Sequence, residues 1–528
     1  MISPITLARC RGPSVSSSYC SIVHAYRLPS AQRTSIPFLR FYSARVSQSW
    51  NGASLSSKSR FEHQNSQKQL VDARSSYSKK SSPSPNAASL DWEDNHRLNI
   101  SNFSELPFRS FGVNQHMIIN EEFKETLRQI LWQFRAPIRY AFAYGSGVFS
   151  QTGNKPSKDS VHPAAPESVQ QMQKGGAKMI DFIFGVSYSQ HWHDINLHDN
   201  RSHYSALGSL GSYAVSQIQD KTGAGVYFNP YVTVNGILIK YGVVNIDTLC
   251  NDLSNWETLY LAGRLQKPVK ILRDHPKVRL ANQMNLLSAV RVALLLLPPT
   301  FTEHQLYSTI AGISYLGDPR MTLAGEHPDK VNNIVTSQMD YFRRLYAPLI
   351  DTMPNVSFSD PKINDPSWVD DPTVNVSMSQ DMDPIKRGNM VRRLPRAFRD
   401  RLYFQYQTRF GIPQGEFNKM MEMTTTDEDP DRFYRRDGGD FERRIASDDG
   451  HLREEVSNAI KKTISWPSTT QSIKSFFTAG IGRSLRYMRE KRQKYHDSKK
   501  TSGTSSSSSS TTKAEHQESS GKETENSR

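Results

Sequence analysis

The chain has 528 residues, with 66 Lys and Arg against 51 Asp and Glu, a formal charge of +15 and three cysteines. That length leaves room for two or three domains, and three cysteines exclude a disulfide-stapled scaffold or a four-cysteine zinc site. The longest apolar candidate, VALLLL (292–297), stops at Pro298-Pro299 and is far short of the roughly 18–20 residues of a membrane span, so a soluble or peripheral protein is expected.

The first 60 residues hold seven Arg and one Lys, many Ser and no acid; Glu62 is the first. An Arg- and Ser-rich, acid-free start is the signature of a mitochondrial presequence. RFYSAR (40–45) has the look of a matrix-protease site, which sets the presequence at 1–45. Removing the first 60 residues lowers the charge from +15 to about +7, so much of the basicity is an address and argues little for nucleic acid. Cys10 and Cys20 leave with it. Cys250 alone remains, as suits a reducing compartment.

Residues 46–99, rich in Ser, Lys and Asn, are expected to be a disordered linker. A first domain follows over 100–270. In NEEFKETLRQILWQF, residues Phe123, Leu127, Ile130, Leu131 and Phe134 recur at helical spacing behind Asn120, and Pro137 closes the helix. RYAFAY then reads as a strand delivering Gly145-Ser146-Gly147. Residues 152–177 read as a mobile loop, KMIDFIFGV as a buried strand, and GVYFNPYVTV and GILIKYGVV as two more strands. Over 271–405 the period changes to about 3.6, predicting a mainly helical second domain. Residues 406–455, acidic and rich in Met, Asp and Gly, are expected to be a flexible insert. Residues 456–496 form an amphipathic stretch, and 497–528 a low-complexity tail.

A glycine–serine turn between apolar residues is either an ordinary tight turn or a backbone that approaches a phosphate closely. The acid on the next strand favours the second. Asp181 is flanked by Met, Ile, Phe and Ile, where a lone carboxylate is costly without a partner. A strand-borne carboxylate suits Mg²⁺, a hard cation that takes oxygen ligands and phosphate partners. Helix, strand, Gly-Ser-Gly and acid together resemble the polymerase-beta-type nucleotidyltransferase outline, in an α+β fold. One departure stands out: that pattern has a second acid two residues on, where this chain has Ile183. Asp194, Asp199, Asp247 and Asp252 are candidates to replace it. His191, His193, His198 and His203 lie in a segment expected to be a solvated polar loop or, less suitably for Mg²⁺ chemistry, a metal site. Lys240 breaks an apolar strand, and either marks its open end or reaches a triphosphate.

YGSGVF, DFIFGV, HWHDINLHDNRSHYS, GAGVYFNPYV, GILIKYGVV, NWETLYLAGRLQKPVKIL and GISYLGDPRM, in this order over about 110–400, resemble the mitochondrial phosphatidate cytidylyltransferase family. The resemblance implies an enzyme on the matrix side of the inner membrane that joins CTP and phosphatidate into CDP-diacylglycerol and pyrophosphate with Mg²⁺, upstream of cardiolipin. It implies a winged-helix-like second domain. Carried onto this chain, Gly145, Ser146 and Gly147 would bind the CTP phosphates. Asp181 would hold Mg²⁺, Lys240 would offset charge on the transferring phosphoryl group, and Arg264 and Lys267 would hold the phosphatidate headgroup. His193, Asn196 and Tyr227 are further candidates for a loop lining the site. Anionic lipids of the inner membrane are the expected partners of the 456–496 stretch, whose Ile473, Phe476, Phe477, Ile481, Leu485 and Met488 share a helical face. Nucleic acid is not an expected partner. Two other readings stay open: an RNA-modifying nucleotidyltransferase of the same fold, and a non-catalytic factor supporting protein import.

Overall fold

Helix α1 (Glu121–Trp132) forms where its apolar spacing places it. Phe123, Leu127 and Ile130 lie on its buried face, and Asn120 Oδ1 accepts the Phe123 amide at 2.9 Å to close the N-terminus. This computed structural model describes residues 92–93, 99–150, 162–173, 178–319, 329–426 and 437–480, with single positions 482, 485 and 489. All of them belong to one structural unit, Ser66–Arg528. The presequence, the C-terminal tail and most of the linker fall outside the described residues. The end of that linker does not: Trp92 packs edge-on against Phe111 at 4.7 Å, and Glu93 pairs with Arg291 at 2.5 Å. The expected mobile loop at 152–177 is likewise partly ordered, for 162–173 contain α2 (Glu167–Met172) beside α1.

The four strands expected from sequence are present: β1 (Tyr140–Tyr144), β2 (Ile180–Val186), β3 (Val226–Val234) and β4 (Ile237–Asn245). They form a five-stranded sheet of order β3-β4-β2-β1-β5. β2 and β4 run parallel; the other pairs are antiparallel. Asn235 and Gly236, both at positive φ, make the two-residue turn between β3 and β4. The fifth strand, β5 (Val269–Arg273), corrects the sequence reading, which began a helical domain at 271. Its short VKILR run was masked by Lys270, whose ammonium is buried but donates to the Met117 carbonyl at 2.6 Å.

α3 (Ser189–Asp199) and α4 (Gly211–Lys221) cover one sheet face. This too is a correction, because the histidine-rich segment was expected to be a loop. Trp192, His193 and Asn196 are buried in α3, and His193 and Asn196 both bond the Tyr204 hydroxyl. α5 (Ile246–Asn255) and the short α6 (Ala262–Leu265) then lead into β5.

α7 (Pro276–Leu296) is buried on nearly every side and is the shared spine of the sheet and the helical half. Around it lie α8 (Glu303–Ile313), α9 (Lys330–Ser337), α10 (Met339–Ile350) and a small antiparallel sheet. That sheet has the order β6 (Thr300–Thr302), β8 (Ser377–Gln380), β7 (Val356–Phe358). A fully buried ion pair fixes this half. Arg343 meets Glu303 at 2.6 and 3.0 Å, and also donates to the carbonyls of Trp368, Asp371 and Val374. The architecture is mixed α+β.

The 406–455 region, expected to be irregular, is helical in its described parts. α11 (Pro384–Arg392) is followed by α12 (Arg396–Phe410), which crosses the expected boundary without a break. α13 (Gln414–Thr426) and α14 (Asp440–Ala446) come next. Tyr403 donates to Glu442 at 2.6 Å, and Ile445 is buried. Residues 427–436 lie outside the described residues.

The final helix, α15 (Leu452–Ala479), is not a detached amphipathic segment. It packs on α7, α12 and β3 through a buried face that includes Val456, Ile460 and Ile464. Near its end Gln471 accepts the Ala224 amide at 3.2 Å and donates to the Val226 carbonyl at 3.0 Å. Lys474 donates to the carbonyls of Gln219 and Thr222. Ile481 and Met488 of the expected apolar face lie outside the described residues. No helix among the described residues is long and apolar enough to cross a membrane.

Removing the charge from one partner of the Arg343–Glu303 pair strands the other in the core. Glu303→Gln is expected to cost about 3–5 kcal/mol, read as a fall in the urea midpoint at unchanged slope.

Candidate active site

The sheet register assembles the site. β1 ends at Tyr144, whose cross-strand neighbour on β2 is Asp181; the neighbour of Asp181 on β4 is Lys240. Residues in register point to the same face, so Tyr144, Asp181 and Lys240 form one row. Lys240 Nζ stands 3.4 Å from Asp181 Oδ1 and 4.6 Å above the Phe228 ring. Gly145, Ser146 and Gly147 make a single tight turn directly after Tyr144.

The two glycines serve different ends. Gly145 takes φ 79°, and a β-carbon there would stand 3.7 Å from Asp181 Oδ2, inside the space above the carboxylate. At Gly147 a β-carbon would come within 2.8 Å of the Met179 carbonyl, so that glycine lets the turn lie against β2. Ser146 lies between them.

Asp181 Oδ1 is buried, and no hydrogen bond from the described residues reaches it. A carboxylate oxygen beside a glycine turn, facing an ammonium at 3.4 Å but without a hydrogen bond, is a fitting donor for a hard divalent cation that brings phosphate oxygens and water as its other ligands. The described residues hold no cluster of three or more His, Cys, Asp or Glu. The candidates for a second acid are engaged elsewhere. Asp194 accepts from Ser212, Asp199 pairs with Arg135 and His198, and Asp247 pairs with Lys277.

Asp252 has a different task. It is buried, and its oxygens accept the amides of Thr258, Leu259, Leu261 and Ala262 and the Thr258 hydroxyl, all at 2.8–3.1 Å. It thereby ties down the turn that enters α6, where Leu259 sits at positive φ.

α6 carries Arg264. Its guanidinium stacks on the Tyr260 ring at 3.9 Å, donates to the Tyr260 carbonyl and reaches the Tyr144 hydroxyl at 3.4 Å. Burial, then the Asp181 charge, holds the Tyr144 phenol above its usual pKa, so it remains a neutral donor. Lys267, half-buried just past the helix, donates to the Gly263 carbonyl and to Ser314 Oγ at 2.8 Å. Burial, followed by the charges of Arg264 and Lys330, pushes its pKa down to about 7.

His193, Asn196 and Tyr227 are not brought to this row. Tyr227 and Tyr241 alternate with Phe228 and Lys240, so they point to the opposite face, where α3 and α4 lie. There Asn196 donates to the hydroxyls of Tyr204 and Tyr241 at 2.9 and 3.0 Å. His193 bridges Tyr204 and Gln219, at 2.8 Å each. Burial drives the His193 pKa to about 4, so this imidazole stays neutral and structural. The sequence reading also missed Tyr144, Tyr260, Ser314, Tyr315 and Lys330. Only the aromatic residues beside recognised motifs carried a local signal.

A family model described as mitochondrial phosphatidate cytidylyltransferase matches residues 127–494. A protein of that name from Schizosaccharomyces pombe is 38% identical over 385 residues, covering 72% of this chain and 86% of its own. Its counterpart in Mus musculus is 36% identical over 370 residues, covering 70% and 94%. One from Dictyostelium discoideum is 32% identical over 412 residues, covering 72% and 87%.

Asp252→Asn replaces two acceptor sites with an amide that faces backbone N–H groups. The expected loss is about 3 kcal/mol in urea unfolding. The exposed Asp247→Asn is expected to change stability by less than about 0.5 kcal/mol.

Proposed function

We propose that this chain, which belongs to the mitochondrial phosphatidate cytidylyltransferase family, makes CDP-diacylglycerol and pyrophosphate from CTP and phosphatidate through the Tyr144–Asp181–Lys240 row. The observation that carries the residue assignment is the orphaned Asp181 oxygen, held beside Lys240 and below the Gly145 turn. A phosphatidate oxygen forms a bond to the α-phosphorus of CTP. The bond from that phosphorus to the bridging oxygen breaks, and pyrophosphate leaves with the electron pair.

Each residue acts on charge or position. The amides of Gly145, Ser146 and Gly147 and the Ser146 hydroxyl receive the CTP phosphates. Asp181 is the residue that would hold Mg²⁺, which when bound neutralises charge on the triphosphate and the leaving group. Lys240 faces the transferring phosphoryl group as a fixed cation. Arg264 and Lys267 approach from α6 toward the phosphatidate phosphate. Preorganised cations are the expected catalytic device where two anions must meet.

The single carboxylate supports this reaction over RNA modification. A sugar hydroxyl must lose a proton before it attacks, whereas a phosphomonoester is already an anion at neutral pH. Ile183 is therefore compatible with the chemistry. The helices α7–α10 with their small antiparallel sheet are consistent with a winged-helix-like domain following a polymerase-beta-type one.

The chain is mitochondrial by its relatives, and we place it on the matrix side of the inner membrane, peripheral and upstream of cardiolipin. Three exposed residues of α15 support that placement. Trp466, Ile473 and Phe477 are 72%, 56% and 57% exposed, and their spacing of seven and four residues sets them on one face. Gln471 lies on the opposite, buried face, and Lys474 is buried at its edge. Such an aromatic stripe fits the headgroup region of a bilayer.

The reading is tested by incubating the mature protein with labelled CTP, Mg²⁺ and phosphatidate vesicles and looking for labelled lipid. Asp181→Asn is expected to lower transfer at least about 10²-fold while leaving the unfolding midpoint near that of the parent. Near-normal turnover in a folded variant would remove Asp181 from the site. For the membrane face, deletion after Trp466 is unsuitable, since it removes contacts that close the fold. Serine at 466, 473 and 477 together is expected to reduce binding to cardiolipin-containing vesicles and spare activity on detergent-dispersed short-chain phosphatidate. Unchanged vesicle binding would reject the stripe as the contact.

A further inference from the structure

The cation cluster beside the row extends into the helical half of the chain. Lys267, on the transferase side, is held by Ser314 Oγ at 2.8 Å and lies 5.2 Å from the Tyr315 ring centroid. Lys330, the first residue of α9, lies 5.5 Å from the centroid of the same ring. Arg264 stands on the other flank, stacked on Tyr260 and touching Tyr144, the cross-strand neighbour of Asp181. Three cations thus converge around aromatic rings, and the central one, Lys267, donates to the Gly263 carbonyl and to Ser314 Oγ.

We propose that Lys330 completes, with Arg264 and Lys267, a three-cation site for the phosphomonoester of phosphatidate, so that the helical half supplies part of the acceptor pocket and sets its headgroup specificity. The proposal rests on the assignment of Arg264 and Lys267 to phosphatidate made above.

The physical argument is one of charge balance. A half-buried ammonium flanked by two other cations is unfavourable in the free protein, and the pKa of Lys267, lowered first by desolvation and then by the Arg264 and Lys330 charges, accords with that. A ligand carrying two negative charges converts the repulsion into attraction, whereas one negative charge relieves it only in part. Phosphatidate ends in a phosphomonoester, which reaches two charges near neutral pH. Phosphodiester lipids such as phosphatidylglycerol carry one. Cationic rings of this kind therefore discriminate monoester from diester headgroups without contacting the rest of the lipid. The aromatic walls restrict water and strengthen the effect. The contact with Tyr144 puts the held phosphate next to Asp181 and Lys240, where the α-phosphorus must be.

The test uses the mature full chain, CTP, Mg²⁺ and dihexanoyl phosphatidate in detergent, with dihexanoyl phosphatidylglycerol as a competitor. Lys330→Gln is expected to raise the KM for phosphatidate roughly tenfold, as for loss of a charged contact, with the KM for CTP within about twofold. Lys330→Arg is expected to restore most of the affinity. Phosphatidylglycerol is expected to inhibit the parent enzyme weakly, and its disadvantage relative to phosphatidate to shrink in Lys330→Gln. A rise in the KM for CTP instead would assign the cluster to the triphosphate and overturn the proposal. No change in either KM, in a variant that unfolds at the parental midpoint, would also overturn it. Absence of any transfer by the parent protein would sink the assigned reaction itself, and that is seen before any variant is compared.

Discussion

The register of three neighbouring strands is the constraint on which the site depends. With β1 antiparallel to β2 and β2 parallel to β4, Tyr144, Asp181 and Lys240 are locked side by side on one face. A slip of one residue in either pairing would send a member of the row to the opposite face, where Tyr227 and Tyr241 pack beneath α3 and α4. The apolar residues that alternate with the row hold the register. Phe182, Phe184 and Tyr241 are buried on the far side, where Phe184 stacks on Tyr241, Phe182 lies tilted beside Phe184, and Phe134 meets Phe184 and Tyr241 edge-on. The chemistry on one face is positioned by the packing on the other.

That arrangement explains how a carboxylate can stand in an apolar strand. Asp181 Oδ1 is paired with Lys240 at 3.4 Å, which limits the cost of burial, yet that same oxygen lacks a hydrogen bond from the described residues. Arg264 and Lys267 come from a short helix whose entry turn is fixed by Asp252. The site therefore combines two kinds of support. The sheet supplies the row, and a buried carboxylate with five donors supplies the rigid base for the cations.

Much of this was legible in the sequence where the signal is local. Short apolar runs marked β1 to β4, glycine marked the turn, and Asp181 stood out because its neighbours are apolar. What stayed hidden depends on distant partners. Lys270 disguised β5 until the Met117 carbonyl was seen to hold its ammonium. The polar face of α3 looked solvent-exposed because nothing in HWHDINLHD reveals that Tyr204, Gln219 and Tyr241 satisfy it. Asp252 looked like a possible metal ligand because an acid and its backbone amides leave no pattern in spacing. Lys330 sits 63 residues beyond Lys267, on another helix, and only the fold places both at Tyr315.

The cover on β3 has a consequence for how the molecule is built. β3 is an edge strand, and the amide of Ala224 and the carbonyl of Val226 at its start are satisfied by the side chain of Gln471, some 245 residues downstream. A chain that emerges N-terminus first thus presents an unfinished sheet margin until Gln471 has arrived. The margin is open to pairing with other strands throughout that interval. Completion of this sheet edge is in this sense a late, non-local event, of the kind that slows folding relative to the formation of local helices.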